Sequence, residues 1–186
     1  TCIPSHNTQI AISSACAIAA GVSHAVEQSA DVFSVVQACL YGARRGEELA
    51  HDHGRIVPGP SILVRSELAV TLALRAKSLP EAITLIEDHI GNSVDACQSV
   101  PAAIGLFVFS KGDPLESIVG GTNIGNDTDT IAAIAGALAG ALNGVDALPQ
   151  SMYKTFCAAN ADDEFDIEEL ARGLTSIAIR SEGGVS

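Results

Sequence analysis

Gly120-Gly121-Thr122-Asn123-Ile124-Gly125-Asn126-Asp127-Thr128-Asp129-Thr130, running on into residues 131–142, is the stretch whose reading decides the fold. Glycines lead into two aspartates and two threonines, and these open an almost wholly apolar segment. Ile131, Ile134, Leu138 and Leu142 recur at spacings of three and four, which is one stripe of a helix. The positions between them from 132 to 141 are all Ala or Gly, so neighbouring backbones can approach closely on the other faces. The pattern predicts a central, buried helix entered through a glycine-rich loop over 120–125. Asp127 and Asp129 crowd its first turn, where the helix dipole offsets only ~0.3–1 kcal/mol per anion. A divalent cation would compensate them, with the hydroxyl of Thr128 or Thr130 as a further hard-oxygen ligand. Plain capping is the competing reading, since one Asp before an apolar helix signals a helix start and nothing more.

Other motifs of similar spacing fail on context. The D-x-D-x-T of haloacid-dehalogenase phosphatases needs a hydrophobic strand before it, and here the lead-in is glycine-rich. Gly120 and Gly125 match G-x-x-x-x-G, yet a phosphate loop continues with Lys and Ser/Thr where this chain has Asn126 and Asp127. An EF-hand would carry a Gly after the acidic positions and a distal Glu.

A chain of 186 residues suffices for one domain with a substantial core, and residues 1–186 read as that single domain. It has two Tyr, five Phe and no Trp, with abundant Ala, a composition suited to helices packed through small residues. The longest apolar run falls short of the ~20 residues of a membrane span, and no basic n-region opens the chain. A net charge of −12 without a basic cluster argues against nucleic acid as a partner. Five cysteines at wide, unpatterned spacing suggest reduced thiols and a cytoplasmic location.

In chain order, a helix capped by Asn7 or Thr8 should run to about Ala25, with Ile10, Ala15, Ile18 and Val22 inward. A second starts at Ser29 or Asp31 and carries Val32, Val35, Val36, Cys39 and Leu40. Residues 42–60, charged and rich in Gly and Pro, read as a surface excursion, with His51 and His53 simply solvated. A third helix is predicted over 63–77, and a fourth after Ser78-Leu79-Pro80-Glu81. The apolar run 94–109 follows, with Pro101 placed in a first helical turn. Asp113-Pro114-Leu115-Glu116 is a capped helix start, and that helix should end at Gly120-Gly121. A modest helix over 146–158, an acidic linker over 162–166, a last helix from Asp166 and a frayed tail complete the reading: all-α, a compact orthogonal helical bundle.

Gly125 to Gly144 resembles the C-terminal metal motif of the ADP-ribosylglycohydrolase family, the group that includes the dinitrogenase-reductase-activating glycohydrolases. Its usual form is G-G-D-T-D-T with the same Ala/Gly helix behind. Ser5-His6-Asn7 resembles that family's S/T-H segment, and Ser99-Val100-Pro101-Ala102-Ala103 its S-V-P-A-A segment; together these span 5–144. The resemblance implies a dinuclear Mg²⁺ or Mn²⁺ site with Asp127, Asp129 and Thr130 as ligands. It implies an ADP-ribose-containing substrate near His6, Gly120, Gly121, Asn123 and Gly125, and hydrolysis of a glycosidic bond. A capping or packing role for His6 stands beside that reading. Gly91-Asn92-Ser93 is similar to the family's adenosine-side loop, though Gln98 stands where a Glu is common. The family's G-D-A-x-G and T-D-D-T segments, which carry further metal ligands and an acidic catalytic residue, do not occur in this sequence. The chain therefore resembles the C-terminal portion of the domain, its catalytic residues expected upstream, with the N-terminal part supplied in cis or in trans. An inactive ADP-ribose-binding or crystallin-like member, and a helical oligomerisation module, are the alternatives.

Overall fold

The computed structural model describes residues 2–161 and 166–182. Among these the chain is all-α, as expected: nine α-helices, one 3-10 turn and no strand, with a single parallel bridge between Thr8 and Arg55. None of the helices is long and apolar enough to cross a membrane. The chain divides into two compact units, Thr1–Leu148 and Pro149–Ser186.

The first unit is built around α5 (Ala96–Phe109), in which every residue from Ser99 to Val108 is buried. It packs against α1 (Gln9–Ala25), α2 (Val32–His53), α3 (Ile62–Arg75), α4 (Leu79–His89), α6 (Pro114–Asn123) and α7 (Thr128–Asn143). The central place predicted for residues 131–142 thus belongs to α5. Val100, Ile104, Leu106, Phe107 and Val108 present bulk all round the helix, whereas α7 buries one stripe and leaves Ala133 and Ala137 exposed. Pro101 lies inside α5 rather than in a first turn, because the helix begins at Ala96. With no N–H to offer, it cannot donate to the carbonyl one turn earlier.

The expected surface excursion over 42–60 is half helix, since α2 continues through Gly42 and Gly46 to His53. These glycines mark close contact, not a break. A Cβ on Gly42 would collide with the Cys16 carbonyl, and one on Gly46 would lie 2.6 Å from the Ser13 Cα. The same contact shifts the inner face of α1 to Ile12, Ser13, Ala17, Gly21 and Ala25. Ile10, Ile18 and Val22 flank the core instead, and Ala15 is exposed. Buried Ser13 is satisfied by donating to the Ala43 carbonyl at 2.8 Å. His51 and His53 are exposed, in keeping with solvation.

Thr8, Asp31, Ser61, Ser78 and Asp113 each cap their helix by accepting a backbone N–H. In the second unit α8 (Gln150–Ala159) starts later than predicted, after a 3-10 turn at Val145–Ala147 and Pro149 at its N-cap. A hydrogen bond from the Tyr153 hydroxyl to the Glu168 carboxylate ties it to α9 (Ile167–Glu182). The acidic pair Asp162-Asp163 and the tail beyond 182 lie outside the described residues.

Candidate metal centre

The corner between α6 and α7 carries the aspartate motif. Asp113 opens α6 by accepting the Glu116 N–H at 2.7 Å. The helix then passes straight through Gly120 and Gly121 to Asn123, so the glycine-rich loop predicted over 120–125 shrinks to the four residues 124–127. The reason is again close packing. A Cβ on Gly121 would collide with the backbone of Ala132 in α7, and one on Gly120 would press on Leu106 at 3.1 Å. Both glycines are buried between helices.

The short loop turns sharply. Buried Ile124 anchors it, and Gly125 (φ 83°) and Asn126 (φ 54°) are successive left-handed residues. That conformation costs a non-glycine residue about 1–2 kcal/mol, least for Asn. Asp127 follows at the N-cap of α7 with ψ 56°, and its carboxylate accepts no backbone N–H. Its Oδ1 accepts instead from the Thr130 hydroxyl at 2.8 Å. Asp127 is 8% exposed, and among the described residues no Lys, Arg or His forms an ion pair with it. Asp129, one residue into the helix, is exposed, and Thr130 is half-buried.

A buried carboxylate that neither caps its helix nor meets a cation is costly unless something else compensates it. Carboxylate oxygens and a hydroxyl form a hard donor set that suits Mg²⁺ or Mn²⁺. Among the described residues no three His, Cys, Asp or Glu side chains gather into a metal-holding cluster, so the corner offers two carboxylates and the Thr130 hydroxyl. The residues present fit a divalent cation as part of its shell.

A second loop braces the corner. The Asn92 carbonyl accepts the Asp127 N–H at 3.0 Å, and the Asn92 side-chain amide donates to the Ile124 carbonyl at 2.7 Å. Gln98 stabilises that loop by accepting the Ser93 N–H at 3.1 Å, so an amide oxygen serves where a carboxylate would. The resemblance marks 91–93 as a substrate-side loop; its bond to the motif crosses more than thirty residues and leaves no local signal.

The remaining expected site residues are dispersed. Asn123, exposed, ends α6 with its side-chain amide donating to the Val119 carbonyl at 2.7 Å, and Gly125 is exposed in the corner. His6 is exposed in the turn before α1, its N–H bonded to the Cys2 carbonyl at 2.8 Å. The helix cap there is Thr8, not His6. Among the described residues no hydrogen bond or ion pair joins the His6 side chain to the aspartates.

Comparison with known proteins adds to this geometry. The model of a family described as ADP-ribosylglycohydrolase matches residues 1–182. The uncharacterized protein YegU of Escherichia coli K12 is 30% identical over 161 residues, 86% of this chain and 46% of that protein. The ADP-ribosylhydrolase ARH3 of Danio rerio is 39% identical over 103 residues, half of this chain and 26% of that protein. Its human counterpart is 37% identical over 80 residues, 38% of this chain and 22% of that protein. The chain thus spans about half the length of YegU, and about a quarter of the ARH3 proteins.

Proposed function

This chain belongs to the ADP-ribosylglycohydrolase family, and on that premise we propose that it is the metal-ligating part of a hydrolase. Its substrate class is an ADP-ribosylated protein or an ADP-ribose derivative, cleaved at the glycosidic bond. The observation that carries the metal reading is Asp127, a buried N-cap carboxylate that among the described residues accepts only the Thr130 hydroxyl. In this reading Asp127, Asp129 and Thr130 hold a dinuclear Mg²⁺ or Mn²⁺ centre. Such ions, when bound, orient ribose hydroxyls and polarise water beside the anomeric carbon.

This chain's own residues do the rest. Asp127 offers its carboxylate at the corner, the Thr130 hydroxyl fixes that carboxylate by a hydrogen bond to Oδ1, and Asp129 is exposed one residue into the helix. Gly125 and Asn123 lie next to them on the exposed side of the corner, where a ribose or pyrophosphate could meet backbone and amide. His6 joins the substrate site by family resemblance alone. Gly120 and Gly121, buried between helices, support the corner through packing. Three side-chain donors do not fill two octahedral shells, so the remaining ligands are assigned to water and to a segment outside these 186 residues, in the same chain or another.

Calorimetric titration with Mn²⁺ tests the centre, comparing the wild type with Asp127→Ala and Asp129→Ala at unchanged helical content. Both variants should lose affinity. Equal affinity in all three would overturn the metal assignment. Release of ADP-ribose from an ADP-ribosylated protein, with and without Mn²⁺, tests the activity. Metal binding without turnover, even when an upstream segment bearing a Thr-Asp-Asp motif is added, would make the chain an inactive binding member.

A further inference from the structure

We infer that Asn92 is a positioning residue for this centre, clamping the α6–α7 corner so that Asp127 is held in place. The inference rests on the reading of Asp127 as a metal ligand. Its ground is a pair of hydrogen bonds that converge on both sides of the same turn. The side-chain amide donates to the carbonyl of Ile124, the C-cap of α6, at 2.7 Å. The backbone carbonyl accepts the N–H of Asp127, the residue that opens α7, at 3.0 Å. Helix ends leave such groups without intrahelical partners, so one residue satisfies an orphan acceptor and an orphan donor together. Between these two attachment points lie only Gly125 and Asn126, both left-handed, a turn that needs external support to persist.

The clamp is itself held from behind. The Gln98 side-chain oxygen accepts the Ser93 N–H at 3.1 Å. Gly91 has φ 89°, and a Cβ there would collide with that same oxygen. Gln98 springs from α5, whose buried length fixes it to the core. A continuous path therefore runs from the buried helix α5, through Gln98 and the loop 91–93, to the main chain of Asp127. Partners behind a ligand that fix its orientation change metal affinity 10–100-fold when removed.

The far end of α7 supplies a matched control. There the Asn143 side-chain amide donates to the Gly112 carbonyl, also at 2.7 Å and across a similar span of chain. It clamps the same helix without touching the corner. Two measurements on the full chain decide the matter, with Asn92→Ala, Asn143→Ala and the wild type in parallel. The first is Mn²⁺ affinity by electron paramagnetic resonance. Asn92→Ala should weaken it about tenfold or more, and Asn143→Ala should leave it within about twofold. The second is hydrogen exchange of the Asp127 amide in metal-free protein, which should quicken in Asn92→Ala alone. If Asn92→Ala does not fold, Asn92→Asp, equal in size but lacking the donor, takes its place. Equal loss of affinity in the two alanine variants, or unchanged Asp127 exchange without the Asn92 amide, overturns the inference. A wild type without Mn²⁺ affinity overturns the metal reading and the metal half of this one, while the exchange result still decides the clamp.

Discussion

Asp127 stands apart from the other helix-opening residues of the first unit. Thr8, Asp31, Ser61, Ser78 and Asp113 each accept a backbone N–H, and Asp95, which does not, is exposed to water. Asp127 is buried and spends its carboxylate on Thr130. In the proposed reading its carboxylate is a ligand whose burial a bound ion would compensate. Asp127→Asn keeps the shape and an acceptor for Thr130 while removing that charge. We expect it to raise the unfolding free energy by about 1 kcal/mol without metal and to abolish Mn²⁺ binding. A fall in stability by urea titration would show that the charge is compensated within the fold. Cys39 gives a second residue-scale outcome. Burial lifts its thiol to about 12, so native protein at pH 8 should leave it unalkylated by iodoacetamide while exposed Cys157 reacts. The folded state holds this proton after the unfolded state has lost it. Stability present below pH 9 should then decline as pH rises toward 12, by up to about 1.4 kcal/mol per pH unit. Cys39→Ala should show a shallower decline over that window; an equal slope would mean the thiol is not shielded.

Glycines set the helical elements in this protein, in two opposed ways. At Gly121 a side chain would meet the backbone of Ala132, which cannot yield, whereas Gly140 on the next helix has nothing within 4 Å of where a Cβ would stand. Gly121→Ala should therefore cost roughly 1–3 kcal/mol through overpacking. Gly140→Ala should gain about 0.5–1 kcal/mol from helix propensity alone. Guanidinium midpoints would separate the two, and a shift of the same sign in both would refute the packing account. These positions also explain what the sequence could and could not disclose. Helix existence, capping by Asp31, Ser78 and Asp113, and the aspartate motif were all legible from local chemistry. Gly42, Gly46, Gly120 and Gly121 were read as loop residues, because a glycine admitting a neighbouring helix looks the same in one dimension as a glycine breaking one. Pro101 was misplaced for a related reason: the burial of α5 on every side overrides the boundary that a proline suggests. The Asn92 clamp itself had no local signal, since it joins two turns more than thirty residues apart in the chain.

The division of the molecule into two units bears on what must be present for the metal corner to form. Both hydrophobic clusters lie within residues 10–142, and the corner, its Asn92 brace and its Gln98 support all belong to the unit Thr1–Leu148. The unit Pro149–Ser186 is different in kind. Its helix α8 buries no residue, and Met152, Phe156, Ile167, Leu170 and Leu174 are all exposed. A segment that short, with no enclosed core among its described residues, lacks the buried apolar surface to offset its own ordering entropy. A chain ending at Leu148 should therefore unfold in one cooperative transition close to that of the full chain. Its Mn²⁺ affinity should stay within about threefold, because no ligand or brace has been removed. A peptide of residues 149–186 should show only fractional helicity by circular dichroism, as isolated short helices do. Exposed apolar side chains also promote association, so the full chain should scatter more light than the 1–148 form at equal concentration. Loss of the cooperative transition, or of Mn²⁺ binding, on removing 149–186 would show that the core and corner of the first unit depend on the second.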